Sequence, residues 1–143
     1  MRPAPGSWLL SHRPVWGFHS HRKTINVTLQ RALAGFNGKV PEGIALTLAG
    51  HIHVAEVLSF ADKRTPQLVL GNGGTMLAGK IKSSLSGERI GGTAVSYGHA
   101  DHRFGFAVLE PPAEGGRTAA AFRDPNGTKL FACTVGPSDL ACN

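Results

Sequence analysis

Glycine and proline break this chain at short intervals: 19 Gly and 9 Pro stand among its 143 residues. Neither sits well inside a long helix, so the chain is expected to build short strands joined by turns. The apolar residues agree, because they come in brief runs of strand length. Ser7 to Ser11 and Ile44 to Ala49 read as buried strands, as do Glu56 to Ala61 and Gln67 to Leu70. Four further strand-like runs follow at Thr93 to Tyr97, Arg103 to Leu109, Arg117 to Phe122 and Lys129 to Val135, the last two joined by the turn Asp124-Pro-Asn-Gly127. Between the first two strands, Ile25, Leu29, Leu33 and Phe36 fall on one helical face, with Thr24 as the cap and Gly35 or Gly38 as the stop. His12 to Lys23 reads as a loop, and Ala78 to Gly92 as a surface excursion. The order is α/β at the start and β-rich at the end.

Composition removes several classes. Hydrophobic residues make up 41% and charged residues 17%, which excludes a disordered polyelectrolyte. Two cysteines cannot make a disulfide-dense mini-protein, although Cys133 and Cys142 are candidates for one bridge if the protein is exported. No apolar run is long enough to span a membrane as a helix. The net charge is +6, and no Asp or Glu precedes Glu42. The basic residues are spread rather than massed and do not alternate with aromatics, so a nucleic-acid partner is not expected. The apolar run at Trp8-Leu-Leu10 is too short for a secretory signal, and Pro3, Pro5 and Pro14 break a presequence helix, so no targeting segment is read.

Seven histidines draw attention to metal chemistry. His51 and His53 follow directly after a buried strand, and His12 follows another. Ligands gather at the carboxyl ends of sheet strands. In an extended segment His51 and His53 would project to one side, about 7 Å apart at Cα. Spacing alone leaves two readings, surface-loop histidines or ligands of neighbouring metal ions. Other candidates are weaker. Gly74-Thr-Met-Leu-Ala-Gly79-Lys80 matches most of a phosphate-binding loop, but Ile81 stands where a hydroxyl is needed and no helix follows. Ala94-Val-Ser96-Tyr-Gly98 is one residue short of a nucleophile elbow, and a strand rather than a helix follows it. His99-Ala-Asp101-His102 reads as a solvated loop. Asn26-Val-Thr28 and Asn126-Gly-Thr128 match glycosylation triplets.

Trp8-Leu-Leu-Ser-His12-Arg-Pro-Val-Trp16 resembles the middle-histidine motif of the calcineurin-like metallophosphoesterase family, and Leu48-Ala-Gly50-His51-Ile-His53 resembles its closing Gly-His-x-His motif. Gln67-Leu-Val-Leu-Gly-Asn-Gly-Gly-Thr75 and Phe104-Gly-Phe-Ala-Val-Leu109 are similar to segments of the bacterial branch. The resemblance implies a metal-dependent hydrolase of phosphate esters with two divalent ions (Mn, Fe or Zn). It assigns His12 and His51 to one ion and His53 to the other. Arg13, beside His12, reads from the residues alone as an ordinary surface arginine, with attraction of substrate phosphate as the alternative. The family's Asp-x-His, Gly-Asp-x-x-Asp and Gly-Asn-His-Asp/Glu motifs, which precede the middle histidine, do not occur here. The resemblance therefore implies the C-terminal half of the domain over residues 1–143. Residues 8–75 would be the motif-bearing α/β part and 93–135 the β-rich end. The fold class it implies is a partial α/β/β/α sandwich. The chain alone is then expected to be weakly active or inactive, and to self-associate or need the N-terminal half as a partner. The alternative is a non-catalytic module that holds one Zn²⁺ through three histidines, or no metal.

Overall fold

Among the described residues a computed structural model shows twelve strands and very little helix. The described residues are 2–20, 22–74, 76–112 and 116–143, with backbone alone at Arg22, Thr24 and Ile25. The centre is a mixed six-stranded sheet built from β1 (Ser7–Ser11), β4 (Ile44–Ala49), β5 (Ala55–Phe60), β6 (Gln67–Leu70), β7 (Arg89–Ile90) and β8 (Thr93–Asp101). Its order is β1-β4-β6-β5-β8-β7. β1, β4 and β6 run parallel, whereas β5 is antiparallel to both its neighbours.

Layers cover both faces of this sheet. On one face lies a second, antiparallel sheet in the order β12-β11-β10-β9. Its strands are β9 (Phe106–Glu110), β10 (Thr118–Arg123), β11 (Lys129–Val135) and β12 (Leu140–Cys142). Ala120, Phe122, Phe131, Cys133 and Val135 of this sheet pack on Leu46, Ala55, Val57 and Leu68 of the first. On the other face lie the hairpin β2 (Trp16–His19) with β3 (Arg22–Ile25), the helix α1 (Val27–Ala32) and a 3₁₀ turn at Ala34–Phe36. There Val15, Trp16, Phe18 and Leu33 pack on Leu58, Phe60 and Val69. The architecture is β-rich α/β. Among the described residues no helix is long and apolar enough to cross a membrane.

Several expectations need correction. The helix does not begin at Thr24. Asn26 is its cap, with its side chain accepting from the Leu29 amide, and residues 24 and 25 belong to β3. The stretch read as a loop at 12–23 therefore contains a hairpin. Two buried polar side chains on the sheet hold it down. The Gln67 side-chain oxygen accepts from the amides of Val15 (3.0 Å) and Trp16 (3.3 Å), and its amide nitrogen donates to the Trp16 carbonyl. The Glu56 carboxyl accepts from the Phe18 amide at 3.1 Å. These side chains satisfy backbone groups of β2 that a neighbouring strand would otherwise pair. Above Trp16 the Arg64 guanidinium lies 4.7 Å from the ring centroid and is paired with Asp62.

β1 is not a buried strand. It lies at one end of the sheet, paired only with β4, and Leu10 is 70% exposed. His99 and Asp101 are not in a loop, because β8 continues to Asp101 and pairs with β5 throughout. The surface excursion at 78–92 also holds sheet structure: β7 lies in it, and Ser84 bridges to His99. β12, not expected from the sequence, pairs Cys142 opposite Cys133, and the two form a disulfide. The neighbouring pair Ala132 and Asn143 exchanges both backbone hydrogen bonds, which makes Cys133–Cys142 the close, non-hydrogen-bonded pair. Closing a loop of this size is worth roughly 2–3 kcal/mol in the chain-entropy account.

Candidate functional site

The carboxyl ends of β1 and β4 lie side by side because the two strands are parallel neighbours. His12 follows β1 and His51 follows β4, so adjacency of the strands makes neighbours of residues far apart in sequence. The Gly50 amide donates to the His12 carbonyl at 3.1 Å and fixes the two strand ends together. His12 Nε2 and His51 Nδ1 stand 3.0 Å apart, and the rings meet edge to face with centroids 4.9 Å apart. Both side chains are exposed at the sheet edge, while His53 is half-buried.

The segment that carries His51 and His53 is not extended. His51 has φ 63°, and the amides of Ile52 and Val54 donate to carbonyls two residues back, at 2.7 and 2.8 Å. The alternation argument for His51 and His53 therefore does not apply, and tight turns set their directions. Between them Ile52 is buried in the core of the hairpin face. Two glycines leave it room. A Cβ at Gly17 would collide with the Ile52 side chain, and one at Gly71 with its carbonyl oxygen. Backbone contact from the hairpin and from the end of β6 thus sets the histidine turn.

The surroundings are basic. Local desolvation holds the His51 imidazole below its ordinary pKa, and the positive field of Arg13, His12, His53 and His19 acts in the same direction. His51 is consequently neutral at neutral pH, the form that offers a ring lone pair. His19, at the end of β2, was not singled out from the sequence.

Two imidazole nitrogens held about 2.0–2.1 Å from one ion stand roughly 2.9–3.4 Å apart. The His12–His51 separation lies in that range and is also that of a hydrogen bond, one ring nitrogen donating its N–H to the other. A two-ion centre is not complete in this part of the chain. Among the described residues no three His, Cys, Asp or Glu side chains converge into a metal-binding cluster.

The weaker candidates are elsewhere engaged. Ser96 lies within β8 with its hydroxyl 3.0 Å from that of Ser59, with no strand–turn–helix elbow around it. The phosphate-loop-like segment is irregular and leads into no helix, and its Thr75 lies outside the described residues. Asp101 is paired with Arg103, and His102 Nε2 meets the Ala78 carbonyl. No protein-family model matches the chain, and no curated protein matches it.

Proposed function

We propose that this chain supplies the histidine part of a divalent-metal site acting on phosphate esters, as the C-terminal portion of a calcineurin-like phosphoesterase sandwich. The observation that carries the reading is the 3.0 Å approach of His12 and His51 at the carboxyl ends of adjacent parallel strands. The layer order supports it: hairpin and helix, mixed sheet, then antiparallel sheet. A divalent ion, when bound, supplies Lewis acidity and an activated water. The chain's own residues do the rest. His12 and His51 offer ring nitrogens as ligands, and Arg13 brings a fixed positive charge beside them for the substrate's phosphate. The resemblance gives His53 to a second ion.

Three imidazoles compensate a pair of dications poorly, so carboxylate ligands from a further segment or partner belong to the working site. The free edge of β1, with Leu10 exposed beside it, is where an additional strand would join the sheet. A single Zn²⁺ held without turnover is the second reading, supported by the charged groups that act on His51, which among the described residues are Arg13 and three histidines.

Hydrolysis of p-nitrophenyl phosphate by the full chain with Mn²⁺ or Zn²⁺ tests the proposal. The expected turnover is slow, depends on metal, and falls to the metal-free background in His51→Ala. Turnover that survives His51→Ala would place the chemistry elsewhere. Fast turnover lost in His51→Ala would keep the site and contradict its incompleteness.

A further inference from the structure

A second site lies between the edges of the two sheets. The segment after Lys82 runs along β8: the Ala100 amide donates to the Ser83 carbonyl at 2.8 Å, and the Leu85 amide to the Gly98 carbonyl at 2.9 Å. Residues 80–82 stand away from the second sheet. A groove of about 860 Å³ opens between them and β11–β12, within the size range of small-molecule sites.

Its floor is aromatic. His99 meets Phe131 edge to face at 4.7 Å between centroids, and Tyr97 lies beside them on the same strand as His99. Among the described residues neither the His99 imidazole nor the Tyr97 hydroxyl has a hydrogen-bond partner, although both side chains are half-buried and line the groove. Their polar atoms reach solvent in the groove and are free to pair with a ligand.

Its rim is cationic. Lys80 is exposed and has no ion pair among the described residues. Lys82 is 80% exposed and shares Glu88 with Lys23. The acidic group on the groove's wall, Asp101, is already neutralised by Arg103. An aromatic floor with solvent-facing polar atoms and a lysine-bearing rim is complementary to a flat ring that carries an anion.

We propose that this groove binds an aromatic phosphate of the size of a nucleoside monophosphate. The ring would pack against His99 and Tyr97, and the phosphate would face Lys80 and Lys82. The loop that carries Lys80 is anchored between the two candidate sites, because the Ala78 amide donates to the His53 carbonyl while its own carbonyl meets His102. The groove's residues are nevertheless distinct from His12 and His51, so this inference stands or falls apart from the metal reading.

Calorimetric titration of the metal-free full chain with adenosine monophosphate, adenosine and inorganic phosphate tests it. The expected result is saturable binding of the monophosphate, with adenosine and phosphate each weaker by about tenfold or more. The double variant Lys80→Ala, Lys82→Ala changes exposed side chains and should weaken the monophosphate by about tenfold, whereas Arg2→Ala, at an exposed cation outside the groove, should leave it unchanged. Absence of saturable binding at millimolar monophosphate would overturn the proposal. So would binding lost in Arg2→Ala and kept in the lysine variant, or inorganic phosphate bound as tightly as the monophosphate.

Discussion

Replacing Glu56 with glutamine should stabilise the protein at pH 8 and flatten its stability between pH 5 and pH 8. Glu56 is fully buried beneath the hairpin, and its carboxyl meets the Phe18 amide. Burial pushes its pKa from 4.5 to about 8, against a smaller opposite pull from the Phe18 amide. A folded-state value above the unfolded one means that the folded chain keeps a proton the unfolded chain has released. The stability this group contributes is complete below pH 4.5 and is lost as pH rises through about 8. The gap bounds the loss at about 5 kcal/mol, and relaxation around a buried carboxylate brings the expected figure to roughly 3 kcal/mol. Glutamine keeps an oxygen for the Phe18 amide and cannot ionise. Urea midpoints at pH 5 and pH 8 measure the effect. Comparison with the variant cancels the other titrating groups, His51 included. Equal wild-type midpoints at the two pH values, with Glu56→Gln the less stable protein at pH 8, would contradict the assignment.

Gln67→Leu should destabilise the protein by roughly 4 kcal/mol at any pH. Leucine has a similar volume, so the loss is one of hydrogen bonding rather than of packing. It strands two amides, those of Val15 and Trp16, and the Trp16 carbonyl, all in a buried layer. Each orphaned backbone group costs about 1–3 kcal/mol. Because Trp16 also packs on Phe60 at 5.1 Å and beneath Arg64, loosening of β2 should expose the indole. A red shift of tryptophan emission at low urea, ahead of global unfolding, reports that local release. A variant with the wild-type midpoint and unshifted emission would show that the hairpin is held by apolar packing alone.

These two side chains also explain what the sequence could and could not disclose. β11 is legible from its own residues, and the observed span Lys129–Val135 is the one expected. The preceding turn is legible as well, because Asp124 caps the amides of Asn126 and Thr128 and Gly127 takes φ 85°. The cores of β4 and β6 declare themselves by short apolar runs. The β2–β3 hairpin does not, because the groups that satisfy its backbone are Glu56 and Gln67, far along the chain. The span His99–Asp101 was hidden because its polar residues mimic a loop, while pairing with β5 makes it strand. β12 is three residues long and stands by its pairing and its disulfide with β11. At the candidate site, His12 and His51 are legible one by one, each following an apolar strand. Their mutual contact depends on β1 lying next to β4, which only the fold supplies.

The proposed His12–His51 metal pair is tested by following the imidazole resonances of the full chain by NMR during titration with Zn²⁺. The His12 and His51 signals are expected to shift together and saturate at one equivalent. His12→Ala should weaken binding by more than about tenfold, the range reached by outer-shell partners alone. Zn²⁺ that shifts His99 and His102 while His12 and His51 stay unchanged, or affinity that His12→Ala leaves intact, would contradict it.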